Sequence, residues 1–207
     1  MSLRKLRIFL WVSVAFVAGL SLALVISDDV RERILHTGGG EGVAAIGGPF
    51  ELVDHRGETV THEDFLGQPA VYFFGFTHCP DICPTTLFEI TSWIQELGEE
   101  VDDLRFAFVT VDPERDGPEV VAQYLQAFDE RIVGLTGTPE QVSAMAENWR
   151  VYVRKVPLED GDGGDYTVDH TASVYLMDSD GRFFGTIAFG EADDNALAKL
   201  RRLAQEG

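Results

Sequence analysis

The sequence predicts an α/β fold, a central mixed sheet flanked by helices, with an N-terminal transmembrane helix ahead of it. Three observations carry this. Residues 70–76 and 104–111 are continuous apolar runs, as strands buried on both faces require. Each is followed by helical periodicity, which puts strands and helices in alternation. Residues 8–26, IFLWVSVAFVAGLSLALVI, form a stretch without a single charge.

At a rise of ~1.5 Å per residue, residues 8–26 match a hydrocarbon core of ~30 Å. Arg4, Lys5 and Arg7 precede them and Asp28 and Asp29 follow. The positive-inside bias therefore makes residues 1–7 a cytoplasmic basic tail and puts the bulk of the chain on the extracytoplasmic, periplasmic side of the membrane. Ile26, Ser27 and Asp28 lack the small-residue pattern of a cleavage site, so the expectation is an uncleaved single-pass anchor. Residues 27–48 read as a glycine-rich tether, and residues 49–207 as the folded domain.

Within that domain, residues 50–53 and 59–62 predict a hairpin around the turn at 54–57, and 70–76 a buried strand that delivers the chain to Cys79. Leu87, Ile90, Ile94 and Leu97 fall at helical spacing, and Pro84 suits a first helical position. That placement would make Cys83 the cap. A strand at 104–111, a helix over 118–128 and a strand at 132–135 follow. The helix over 138–149 starts with Thr138, Pro139 and Gln141, a capping box. A strand at 151–156, an acidic glycine-rich loop at 158–166, a hairpin of 172–177 with 183–189, and a helix over 192–205 complete the reading.

The formal net charge is −19, with all 35 acidic residues after position 27 and three of the 16 basic ones before it. So negative a domain repels nucleic acid and favours cationic partners or metal ions. Strong acidity with scarce lysine also suits a salt-rich habitat. Two cysteines four residues apart are too few for a disulfide scaffold and call for a local explanation.

That explanation lies in FTHCPDICPTT, at the carboxyl end of a strand and the start of a helix, where ligand sites in α/β sheets lie. A helix N-terminus lowers a thiol's pKa and favours the thiolate, which singles out Cys83. Three residues between Cys79 and Cys83, one more than in a redox C-x-x-C pair, let the sulfurs converge on an ion and still close to a disulfide. Two thiolates are soft donors suited to copper(I) or zinc, and a third ligand is expected from elsewhere. Among the histidines, His36, His55 and His62 read as solvated, and His78 adjoins Cys79 so closely that ring and sulfur would diverge. His170 precedes a strand, in VDHTAS. The residues alone leave the choice open.

FFGFTHCPDICPTT, VTVDPERD and VDHTASVYLMDSDGRF, in this order, resemble the SCO/SenC family of copper-binding assembly factors over residues 47–205. The resemblance implies a thioredoxin-like fold, an N-terminal anchor, and one copper bound by Cys79, Cys83 and His170. It implies a metallochaperone without turnover, and so no catalytic residue, which delivers copper to the dinuclear copper site of a cytochrome c oxidase subunit and meets other copper chaperones. The second reading, from another class, is a thiol-disulfide oxidoreductase that cycles a Cys79–Cys83 disulfide to reduce partner cysteines for copper loading. Asp169 could orient the His170 imidazole, and Asp81 could tune the site or cap the helix. Asp112 and Asp116 read as structural, capping the next helix and holding the loop. EDGDGGD at 159–165 departs from the calcium-loop spacing and reads as a solvated acidic loop. A peroxidase is disfavoured because no arginine lies between Arg56 and Arg105.

Overall fold

The computed structural model describes Arg4, Arg7, Trp11 and residues 46–158 and 165–207. The chain divides into two units, Met1–Ala44 and Ala45–Gly207. In the first, Arg4, Arg7 and Trp11 are helical and exposed. The rest of the basic tail and apolar segment, the tether with His36, and the centre of the acidic loop lie outside the described residues. Among the described residues no helix is long and apolar enough to cross a membrane.

The second unit runs β1 (Glu51–Asp54), β2 (Thr59–Thr61), β3 (Ala70–Gly75), α1 (Ile82–Leu97), β4 (Arg105–Thr110), α2 (Pro118–Leu125), β5 (Ile132–Thr136), α3 (Pro139–Asn148), β6 (Val153–Pro157), β7 (Tyr166–His170), β8 (Val174–Met177), β9 (Phe183–Ile187) and α4 (Asp193–Glu206). Seven strands form one sheet in the order β2-β1-β5-β4-β3-β8-β9. The apolar runs explain its centre. All six residues of β3 are buried, and β3 lies parallel to β4, which lies parallel to β5. β1 and β8 join antiparallel, so the sheet is mixed. Leu87, Ile90, Ile94 and Leu97 of α1 are all buried, as their spacing requires. The Trp93 indole N–H ties α1 to α4 by donating to Asp193 at 2.9 Å.

The capping box of α3 forms: Thr138 Oγ1 accepts from the Gln141 amide at 3.3 Å, and Gln141 Oε1 accepts from the Thr138 amide at 2.9 Å. Arg150, with φ of 57°, turns the chain out of that helix in the left-handed region, usually a glycine's place. Three expectations need correction. Helix α1 begins at Ile82 with Asp81 at the cap, so Cys83 is the second helical residue and Pro84 the third. Proline is tolerated throughout a first turn, and so it did not fix the start. Helix α2 ends at Leu125, after which Phe128 donates to the Leu125 carbonyl in a turn. Finally, β7 occupies residues expected in a loop. It pairs antiparallel with β6 in a separate two-stranded sheet, placing Val153 opposite His170.

Candidate metal and thiol site

Strand β3 ends on Gly75, and here a side chain is excluded by close approach. A Cβ on Gly75 would stand 2.9 Å from Phe108 Cε2 and 3.1 Å from Cys83 Sγ. The glycine makes room for the Cys83 thiol, which is wholly buried, whereas Cys79 is half-buried on the loop before α1. The two thiols are unbridged, and the Cys83 amide donates to Cys79 Sγ at 3.4 Å.

The paired strands β6 and β7 carry His170 to the same place. Its Nε2 lies 3.4 Å from Cys83 Sγ, across 87 positions of sequence. Phe76 packs edge-on against the imidazole at 5.8 Å between centroids. His170 Nδ1 faces the Thr171 carbonyl at 3.0 Å. A carbonyl oxygen only accepts, so Nδ1 carries the proton and the lone pair of neutral imidazole sits on Nε2, toward the thiols. This is the tautomer a metal ligand needs.

Asp169 does not orient the ring. Adjacent residues of a strand point to opposite faces, and the Asp169 carboxylate pairs with Arg154 at 2.7 Å. Asp81 caps α1 through its carbonyl, which accepts from the Thr85 hydroxyl at 2.8 Å, and its own side chain makes no capping bond. Both aspartates line an open cleft of about 410 Å³ beside Cys79 and His170. His78 turns away, with Nδ1 3.0 Å from Thr77 Oγ1. His55 is no solvated surface residue, because its Nδ1 accepts the Gly134 amide at 2.9 Å.

The thiols are unequal, and in the opposite sense to the helix-cap expectation. A hydrogen bond from the Cys83 thiol, with further ones from the Cys83 and Asp81 amides, outweighs burial and holds Cys79 down to about 3. That same bond to Cys79, with burial, pushes Cys83 up. Cys79 is therefore the thiolate.

Thiolate and imidazole donors bound at ~2.3 Å and ~2.0 Å to one small ion stand about 3.5 Å apart at tetrahedral angles. The Cys83–His170 separation of 3.4 Å fits that spacing. Among the described residues no group of three His, Cys, Asp or Glu side chains is arranged so as to hold a metal ion. Gly75, Thr77 and Thr171 also hold the site and are not among the residues expected from sequence. Of these only Gly75 carried a signal, a glycine inside an apolar strand marking close approach.

A mixed sheet with a thiol pair at the carboxyl end of its central strand and an imidazole facing it defines a thioredoxin-like domain with a soft donor site. The SCO1/SenC family pattern matches residues 39–205, and the chain belongs to that family. The mitochondrial SCO1 homolog of Homo sapiens is 43% identical over 155 residues, covering 74% of this chain and 50% of that protein. Mitochondrial SCO2 of Saccharomyces cerevisiae is 39% identical over 166 residues, covering 79% and 54%. This chain thus spans about half the length of these two relatives. Bradyrhizobium japonicum ScoI, solved with copper bound, superposes with a TM-score of 0.70 at 46% identity, over 77% of this chain and 99% of that one.

Proposed function

We propose that this chain is a membrane-anchored copper metallochaperone that serves assembly of the dinuclear copper centre of cytochrome c oxidase from the extracytoplasmic face of the membrane. The observation that carries the reading is the convergence of Cys83 Sγ and the His170 Nε2 lone pair beside the Cys79 thiolate. Two thiolates hold copper(I), and the added imidazole makes copper(II) acceptable as well. The ion is cargo. Cys79 lies at the edge of the open cleft, where an incoming ligand from the oxidase subunit can replace it, and transfer then proceeds by ligand exchange. Delivery to this site by another copper chaperone would use the same exchange in reverse. The copper-bound state of Bradyrhizobium japonicum ScoI supports copper as the ion by likeness.

Anaerobic copper(I) titration tests the reading. One ion per chain is expected, with binding weakened in Cys79→Ala and Cys83→Ala, and His170→Ala mainly impairing copper(II). Unchanged stoichiometry and affinity in all three variants would remove the site.

One observation favours thiol-disulfide exchange as a second reading: a half-exposed thiolate stands beside a buried thiol. Cys79 would attack a partner disulfide. Cys83 would then resolve the mixed disulfide, leaving the partner reduced and this chain oxidised. His170 is not needed for that reaction, so full oxidase assembly with His170→Ala would favour it.

A further inference from the structure

The segment VDPERD, residues 111–116, leaves β4 beside the site and holds two wholly buried carboxylates, Asp112 and Asp116. Neither caps α2, whose cap is Gly117. A buried carboxylate is tolerated when its oxygens are fully hydrogen-bonded, so the donors show what each one holds. Asp116 accepts the Thr77 amide at 2.9 Å, the Thr77 hydroxyl at 2.6 Å and the Thr110 hydroxyl at 2.7 Å. Thr77 stands two residues before Cys79. Asp112 accepts the Tyr166 hydroxyl at 2.7 Å and pairs with Arg115. Arg115 in turn donates to the Tyr166 carbonyl at 2.9 Å and stacks over the Tyr166 ring at 3.8 Å. Tyr166 opens the strand that His170 closes.

One loop thus grips both halves of the donor set at different points. We propose that residues 111–116 are a two-sided brace, with Asp116 positioning the cysteine loop and Asp112 with Arg115 positioning the His170 strand, so that this loop sets the affinity for copper(II) relative to copper(I). The inference rests on the copper reading above. Copper(I) is satisfied by the two thiolates, whereas copper(II) draws on the imidazole. Loosening the Tyr166 side therefore costs copper(II) binding selectively, and loosening the Thr77 side costs both ions.

The test uses the full chain in detergent, reduced and anaerobic for copper(I), with chelator competition for each ion. Tyr166→Phe, which removes only the hydroxyl that Asp112 accepts, is expected to weaken copper(II) about tenfold, the effect of losing one hydrogen bond to a charged group, and to leave copper(I) within about twofold. Thr77→Val is expected to weaken both ions. Asp112→Asn and Asp116→Asn repeat the two arms, and the single-atom Tyr166→Phe keeps the test valid should either aspartate variant fail to fold. Equal losses for both ions in Tyr166→Phe, or none, overturn the brace. A wild-type chain that binds no copper overturns the copper reading instead. The brace is then read from amide exchange in the metal-free protein: faster exchange confined to residues 166–170 in Tyr166→Phe and to the cysteine loop in Thr77→Val supports it, and unchanged exchange in both overturns it.

Discussion

Cys79 and Cys83 are four residues apart, yet the fold gives them separate chemistries. Cys79 gathers the hydrogen bonds and stays ionised, whereas Cys83 is sealed behind β3 and keeps its proton. In the reduced, copper-free protein, iodoacetamide should modify Cys79 with little pH dependence between pH 8 and 5 and leave Cys83 intact, read by mass spectrometry of the peptides. The sign for stability follows from the same depression, from 9.0 to about 3. Between these values the unfolded state binds the proton and the folded state does not, so the Cys79 contribution is complete above pH 9 and shrinks as pH falls toward 3. The difference in Tm between wild type and Cys79→Ser should therefore be larger at pH 8 than at pH 4.

Gly75 shows how an element rather than a residue builds the site. A methyl there would press on Phe73 of β3, Phe108 of β4 and Cys83 of α1, all buried in a filled core. Gly75→Ala should destabilise the domain by about 1–3 kcal/mol through overpacking, read as a lower urea midpoint, and should weaken copper binding because Cys83 must move. Thr138→Ala is the contrasting case. It removes the cap of α3 at a cost of ~1 kcal/mol and touches no donor residue, so stability should fall with copper affinity unchanged. Comparing the two variants separates loss of fold from loss of site.

At the scale of the whole molecule, charge and the N-terminal apolar stretch govern behaviour. A net charge of −19 steers cationic partners and copper ions toward the domain, and this attraction is screened by salt. The rate of association with a cationic partner protein should fall steeply between 50 and 300 mM salt in stopped-flow measurements, and no nucleic-acid binding should appear at physiological salt. If residues 8–26 anchor the chain, the full protein should stay with membranes through a carbonate wash, and a variant starting at Ala45 should be released.

Local pattern alone determined much of this protein. The apolar runs marked the central strands, and Thr138, Pro139 and Gln141 marked a helix start, because such signals depend on neighbours within a turn or a pleat. CPDICP likewise disclosed the thiol pair and its place at a strand's end. Tertiary structure alone decided which thiol is the thiolate, since the packed sheet and helix bury Cys83 and turn its thiol toward Cys79. It also decided the strand that carries His170. YTVDH alternates apolar Tyr166 and Val168 with polar Thr167 and Asp169, but over only five residues after a glycine-rich stretch, and its pairing with β6 is what makes it a strand. Asp112 and Asp116 read as structural residues that cap the next helix and hold the loop; they do hold the loop, but the cap is Gly117. Their burial depends on Thr77, Thr110 and Tyr166 arriving from three different elements.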